Sequence, residues 1–529
     1  MKKIILYDTT LRDGMQGENI CFSPEDKIKV AMRLDDMGIH YIEGGWPGSN
    51  PNAMHFFELA KAAKFKQAKM AAFGSTRRPF IKAKNDKNLK ALVACGAPVA
   101  TIFGKSWDLH VNIMDIPLDE NIAMIKESVA WLLSQGLEVF YDAEHYFDGY
   151  LNNQAYAVDT LKAAVEGGCT TLVLCDTNGG TLPHDVERIT LETMEKFNKT
   201  SSVINFGIHA HNDCGMAVAN SISAIRTGAV MVQGTINGYG ERCGNADLTS
   251  IIPIVKLKLG YDCVTSENLK KLRKLSRFVS ETANMIPLNS RPFVGHSAFA
   301  HKGGIHVSAV VKEAKAYEHM DPSLVGNGRR VLVSEQSGKS NIEYKAREMG
   351  INLGLDGKNG KSIVASIKEL EEDGYQFDVA EGSLKIIMEK LTEQYKPHFD
   401  LESFRVLVEK DKERPCSAYA MIKIRVGDTI EITAAEGDGP VSALDNALRK
   451  ALTNIFPDLD EMHLVDYKVR VLEGSDGTDA KVRVIISSRD RNNIFNTIGV
   501  SEDIIEASWQ ALADSFQYKL SMKKEEIDA

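Results

Sequence analysis

From Ile4 to Thr235 the chain repeats one unit eight times: a short apolar run ending in polar or glycine-containing residues, then an amphipathic stretch of helical period. The runs are Ile4–Thr9, Tyr41–Trp46, Met70–Gly74, Val99–Gly104, Glu138–Ala143, Thr171–Asp176, Asn205–Ala210 and Met231–Thr235. Between them lie helical stretches such as Pro24–Met37, Asn121–Gln135, Tyr156–Glu166, His184–Phe197 and Ala217–Arg226. Gly38, Gly136, Gly167 and Gly228 stand where those helices should stop, the position glycine favours after a last helical turn. Eight strands alternating with helices over roughly 250 residues is the count and size of a (β/α)8 TIM barrel. A doubly wound open sheet is the competing arrangement. Its dinucleotide loop would have to be Gly238-Tyr-Gly240-Glu-Arg-Cys-Gly244, whose last spacing is wrong and which no acidic-ended βαβ unit follows.

In a barrel the chemistry sits at the carboxyl ends of the strands. Those ends carry Arg12 and Asp13 after the first strand, Glu43 on the second, Glu144 after the fifth, Asp176-Thr177-Asn178 after the sixth, and His209 and His211 at the seventh. Glu241 to Asn245 follow the eighth. Side chains two apart on a strand project to the same side, so His209 and His211 converge. Alone, such a pair reads equally well as two loop histidines; its company at one mouth favours a metal site. Asp13, His209 and His211 supply one carboxylate and two nitrogens, and the Asn245 carbonyl a weaker fourth ligand. That set suits Mg²⁺, Mn²⁺ or Zn²⁺ acting as a Lewis acid on a carbonyl, which a 2-oxo acid can present together with its carboxylate. Arg12 can stabilise an oxygen as charge develops on it. Glu144 is a candidate base or orienting group, Glu43 a partner for Arg12, and Thr177 a donor to the substrate carboxylate.

Bulk properties narrow the function. A charged fraction of 26% and an apolar fraction of 43% describe a globular chain with ample core, long enough at 529 residues for several domains. The net charge of −9, with no dense Lys/Arg run, argues against nucleic acid as a partner. No apolar run approaches the ~20 residues that span a bilayer, and the N-terminal apolar stretch is too short for a signal peptide. Eight scattered cysteines without a C-x-x-C pair indicate a reducing, cytoplasmic setting.

Asp8-Thr-Thr-Leu-Arg-Asp-Gly14, His209-Ala-His-Asn212 and Gly240-Glu-Arg-Cys-Gly-Asn-Ala246 resemble the signatures of the metal-dependent aldolase-type barrels. That group contains the 2-isopropylmalate, homocitrate and citramalate synthases and 3-hydroxy-3-methylglutaryl-CoA lyase, and the resemblance covers nearly the whole chain. It implies metal ligation by Asp13, His209, His211 and Asn245 and a catalytic Arg12. Phe299-Ala-His-Lys-Gly-Gly-Ile-His306 is similar to the segment carrying the synthases' catalytic histidine. By that resemblance His306 helps deprotonate the methyl of acetyl-CoA, is supplied across a subunit boundary of a homodimer, and is assisted by Tyr317. The lyases lack this extension.

Beyond the barrel, taken as 1–260, residues 261–398 read as helical linker subdomains: Ser266–Met285, Asn341–Met349, Ile363–Asp373 and Ser383–Tyr395. Residues 399–529 read as a C-terminal α+β domain with an internal repeat. Each repeat is a hairpin and a helix entered through glycine: Ala418–Arg425 and Thr429–Ala434 before Val441–Ile455, then Leu464–Leu472 and Lys481–Ser487, with a turn at 474–477, before Asp503–Ser515. The free N–H groups at such entries suit an amino-acid carboxylate, which makes Gly437, Asp438, Gly439, Gly499 and Val500 candidate effector contacts. This part resembles the synthases' regulatory domain, which binds a branched-chain amino acid. The Thr497–Leu512 and Glu144–Tyr150 segments are most similar to the longer citramalate synthases, which implies pyruvate and acetyl-CoA as substrates and isoleucine as effector. The branched acid 2-oxoisovalerate, the 2-isopropylmalate synthase substrate, is the alternative.

Overall fold

The computed structural model describes residues 2–49, 51–198, 203–334, 337–353, 358–410, 412, 415–472, 480–491 and 493–527. They form two compact units, Met1–Phe299 with Met320–Gly328, and Ala300–His319 with Arg329–Ala529. Residues 261–299 and 320–328 thus belong with the barrel, and the rest of 261–398 with the C-terminal segment.

In the first unit eight parallel strands close in sequence order: β1 (Ile5–Asp8), β2 (Tyr41–Gly45), β3 (Lys69–Ser75), β4 (Val99–Lys105), β5 (Glu138–Glu144), β6 (Thr171–Asp176), β7 (Asn205–Ala210) and β8 (Met231–Gly234). All eight predicted strands are present, within two residues at each end. Closure is made by β1 against β8, with Ile5 opposite Met231 and Asp8 opposite Gly234. The barrel interior is filled by Tyr7, Ala71, Val99, Phe140, Val173, Cys175 and Met231. Outside, the helices lay down an apolar layer; Val30, Ala31 and Leu34 of helix Pro24–Met37 are buried. That helix starts where the Ser23 hydroxyl accepts the Asp26 N–H and stops at Gly38, whose φ of 100° is left-handed. The predicted helix over 266–285 is instead two, Ser266–Leu269 and Leu272–Thr282.

The second unit begins with the short parallel pair β9 (Ala300–His301) and β10 (Arg330–Val331), followed by helices Lys339–Glu348, Lys358–Glu372 and Glu381–Leu391. Two antiparallel sheets follow, β11 (Asp400–Glu409), β12 (Ser417–Val426), β13 (Thr429–Gly437) and β14 (His463–Val471), β15 (Val482–Arg489), β16 (Ile494–Ser501). Each expected hairpin is therefore a three-stranded sheet. The predicted turn at 474–477 lies outside the described residues. Along β12 the period of two buries Ala418, Ala420, Ile422 and Ile424 against Leu444 and Leu448 of helix Pro440–Leu452. No described helix is long and apolar enough to cross a membrane.

Candidate active site

Three side chains from distant parts of the chain meet at the carboxyl ends of the strands. Asp13 follows β1, His209 is on β7, and His211 lies just beyond it. Asp13 Oδ2 is 3.2 Å from His209 Nε2 and 3.9 Å from His211 Nε2, and the two imidazole nitrogens are 3.1 Å apart. All three residues are buried. Asn245 is brought in by a bridge to His211. Asp13 Oδ2 and Asn245 Oδ1 are buried without a hydrogen-bond partner. An acceptor abandoned in this way costs about 1–3 kcal/mol, a cost that a cation between the donors removes. One carboxylate and two imidazoles therefore fit a divalent ion in both chemistry and spacing, and the unpartnered Asn245 oxygen fits it in chemistry.

The electrostatics agree. Burial pushes the Asp13 carboxyl up, but Arg12, His209 and His211 together outweigh it and hold it well below the usual carboxylate range. Burial lowers His209 while Asp13 raises it, with a net rise. His211, desolvated and beside His209, falls to about 3, so it stays neutral.

Arg12 is clamped from behind. Its Nε pairs with Glu43 Oε1, its Nη1 is 3.5 Å from Asp13 Oδ1, and its guanidinium lies 3.7 Å from the centre of the Phe73 ring. Glu43 is fully buried and also accepts the Tyr7 hydroxyl at 2.7 Å. The loop after β8 is equally fixed. A Cβ on Gly244 would sit 2.0 Å from the Gly238 carbonyl, and one on Gly240 2.2 Å from Asn245 Nδ2; both glycines have positive φ. Arg242, also at positive φ, ties this loop to Asp213 at 2.7 Å and reaches His211 Nδ1 at 3.1 Å.

A cavity of about 240 Å³ opens onto this cluster, lined among others by Arg12, Asp13, Glu144, Thr177, His209 and His211. Glu144 pairs there with Lys105, and the Thr177 hydroxyl accepts the His145 N–H at 2.9 Å. Glu43 stands behind Arg12 rather than on the cavity wall. His306 and Tyr317 belong to the second unit, where their exposed rings stack with centroids 4.3 Å apart. Gly437 ends β13, and Gly439 precedes helix Pro440–Leu452, whose N-terminus has no side-chain cap. Gly499 and Val500 depart from the expected helix entry. They lie within β16, and the entry to the following helix is capped by Asp503, whose carboxylate accepts the Ile505 N–H at 2.6 Å. A Cβ on Gly499 would meet the Ala507 carbonyl at 2.0 Å, so close packing of strand on helix explains this glycine.

Sequence reasoning missed part of the wall. Trp46 packs edge-on against Phe73 and Phe103 at 5.9 and 5.8 Å, and those two rings stack at 5.4 Å. Asp142, on the same side of β5 as Glu144, is buried and raised to about 7, chiefly by desolvation. Its alternation with Glu144 was the available signal.

A closed parallel barrel that gathers an Asp–His–His cluster beside a clamped guanidinium is an enzyme barrel of the metal-dependent aldolase type. Residues 3–279 match the HMGL-like family model, 293–375 the homocitrate synthase post-HMGL domain-like model, and 378–520 the LeuA allosteric (dimerisation) domain. The chain is 52% identical to the (R)-citramalate synthase of Aquifex aeolicus over 99% of both chains. It is 51% identical to that of Geobacter sulfurreducens, over 100% of this chain and 99% of the other. A probable 2-isopropylmalate synthase of Methanopyrus kandleri is 31% identical, over 96% of this chain and 97% of the other. The chain belongs to the (R)-citramalate synthase family.

Proposed function

We propose that the chain condenses acetyl-CoA with pyruvate and water to give citramalate and CoA, opening a pyruvate route to isoleucine. The supporting observation is the Asp13–His209–His211 cluster beside Arg12, within a chain about half identical to the named synthases from end to end. The acetyl methyl loses a proton and its carbon bonds to the keto carbon of pyruvate, whose oxygen becomes a hydroxyl. Water then cleaves the thioester and CoA leaves as the thiol, which makes the sequence irreversible.

A divalent ion held by Asp13, His209, His211 and Asn245 supplies Lewis-acid polarisation of the keto group. Arg12, fixed by Glu43, meets the developing negative oxygen without reorganising. Thr177 donates to the substrate carboxylate and Glu144 orients the substrate. The aromatic wall of Trp46, Phe73 and Phe103 keeps the cavity small, in keeping with pyruvate over a branched 2-oxo acid. His306, next to Tyr317, takes the methyl proton as the general base and is supplied by the second subunit of a homodimer. Functionally we divide the chain into the barrel at 1–260, a linker at 261–398 that carries His306, and a regulatory domain at 399–529 that binds isoleucine. Work in the cytoplasm accords with cysteines that are all free.

The test is CoA release with pyruvate against 2-oxoisovalerate. One or two extra carbons are worth roughly 1–3 kcal/mol in a pocket, so pyruvate should lead by about 10-fold or more in kcat/KM. Preference for the branched acid would move the assignment to 2-isopropylmalate synthesis.

A further inference from the structure

Inside the barrel, beneath the cluster, lies a hydrogen-bonded pair that the reaction scheme above does not use. Gln233 on β8 is fully buried and stands beside His209 in the strand register. Its Oε1 is 2.8 Å from His209 Nδ1, and its Nε2 donates to Asp142 Oδ1 at 3.0 Å, reached from β5 across the barrel interior. All three residues are at most 5% exposed. A primary amide has one accepting end and one donating end, whereas a carboxylate only accepts. The N–H₂ end of Gln233 is turned to Asp142, which leaves the carbonyl end for His209. A carbonyl oxygen cannot donate, so Nδ1 must carry the ring proton, and in the neutral imidazole the lone pair is then on Nε2. Nε2 is the atom that points at Asp13 and His211.

We infer that Gln233, oriented by Asp142, is a positioning residue that fixes His209 as the Nδ1–H tautomer and aims its Nε2 lone pair at the cation. The inference rests on the ligand reading of Asp13, His209 and His211. His211 has no such acceptor behind it: its Nδ1 faces the donor Arg242, and that contact must give way before the His211 Nε2 lone pair can turn to a cation. The relay is thus particular to one of the two histidines, and neither member comes from the motifs that suggested the site. Gln233 reads in the sequence as a polar residue inside an apolar run, and Asp142 as part of the fifth.

Groups that orient a ligating histidine typically matter 10–100-fold in metal affinity. Gln233→Leu keeps the side chain's bulk and removes both hydrogen bonds. Titration calorimetry with Mn²⁺ should show at least about tenfold weaker binding than the unsubstituted chain, and the urea midpoint should fall because Asp142 and His209 lose their buried partner. Unchanged affinity in Gln233→Leu would overturn the relay while leaving the ligand reading intact. No Mn²⁺ binding by the unsubstituted chain would overturn both. Should the variant fail to fold, ¹⁵N-histidine NMR of the unsubstituted, Zn²⁺-loaded chain decides. The resonance lost in His209→Gln must show the Nδ1–H pattern, and an Nε2–H pattern refutes the proposal.

Discussion

At the scale of single residues, Arg12 and Asp13 are neighbours with separable duties, and substitutions should separate them. Asp13 is the anionic member of the cluster. Asp13→Asn keeps the size and loses the charge, so Mn²⁺ affinity should fall by more than the roughly 100-fold upper range seen for residues that merely orient a ligand. Calorimetry reads this without reference to turnover, and an affinity within tenfold of the unsubstituted chain would contradict ligation by Asp13. Arg12→Lys keeps a positive charge but lacks the planar fork that holds Glu43 and lies over Phe73. Metal affinity should survive and kcat should fall about 10²–10³-fold, as when a donor to a developing oxyanion is lost. A rise in KM with kcat unchanged would mean that Arg12 binds substrate and does not act on the transition state. Both residues were legible in the sequence because they fall at a strand end. Gln233 was hidden, since a polar residue inside an apolar run looks like noise until the barrel closes and sets it opposite a histidine.

At the scale of elements, Ser383 and Asp514 show what joining a helix to a sheet costs. The Ser383 hydroxyl, on helix Glu381–Leu391, donates to Asp514 Oδ2 at 2.6 Å and accepts the Ile498 N–H of β16 at 2.9 Å. Burial raises the Asp514 carboxyl to about 6, against the opposing effects of Ser383 and Lys390. A folded-state pKa above the unfolded value near 3.9 means that stability is fully present below pH 4 and is lost as pH rises through 6. Asp514→Asn should accordingly raise stability at pH 7.5, by about 2 kcal/mol, and change little at pH 4. Urea unfolding at the two pH values checks this, and an equal effect at both would rule out the carboxylate as the cause. The same elements explain why sequence reading succeeded in the barrel and faltered here. Buried parallel strands read as unbroken apolar runs, whereas β11 exposes most of its side chains and carries no such signal. β16 contains Gly499, which suggests a turn until its contact with Ala507 is known.

At the scale of the whole molecule, the open question is whether the C-terminal repeat carries a message, and its two halves are not equivalent. The second helix of the repeat is capped by Asp503, so the N–H groups of its first turn are already engaged. The first, Pro440–Leu452, is entered through Gly439 with no side-chain cap. An amino-acid carboxylate bound at this end would take the place a capping carboxylate occupies at the other. With isoleucine as the effector proposed above, isoleucine should inhibit CoA release and leucine should do so less. Gly439 has an extended backbone, with φ of −164°, and a Cβ there would meet nothing within 4 Å, so a side chain is tolerated. Gly439→Asp should install at the first helix the cap already present at the second, raising the urea midpoint slightly and abolishing isoleucine inhibition. Inhibition that persists in this variant would move the effector site away from the helix entry. Inhibition by leucine alone in the unsubstituted chain would remove isoleucine as the signal.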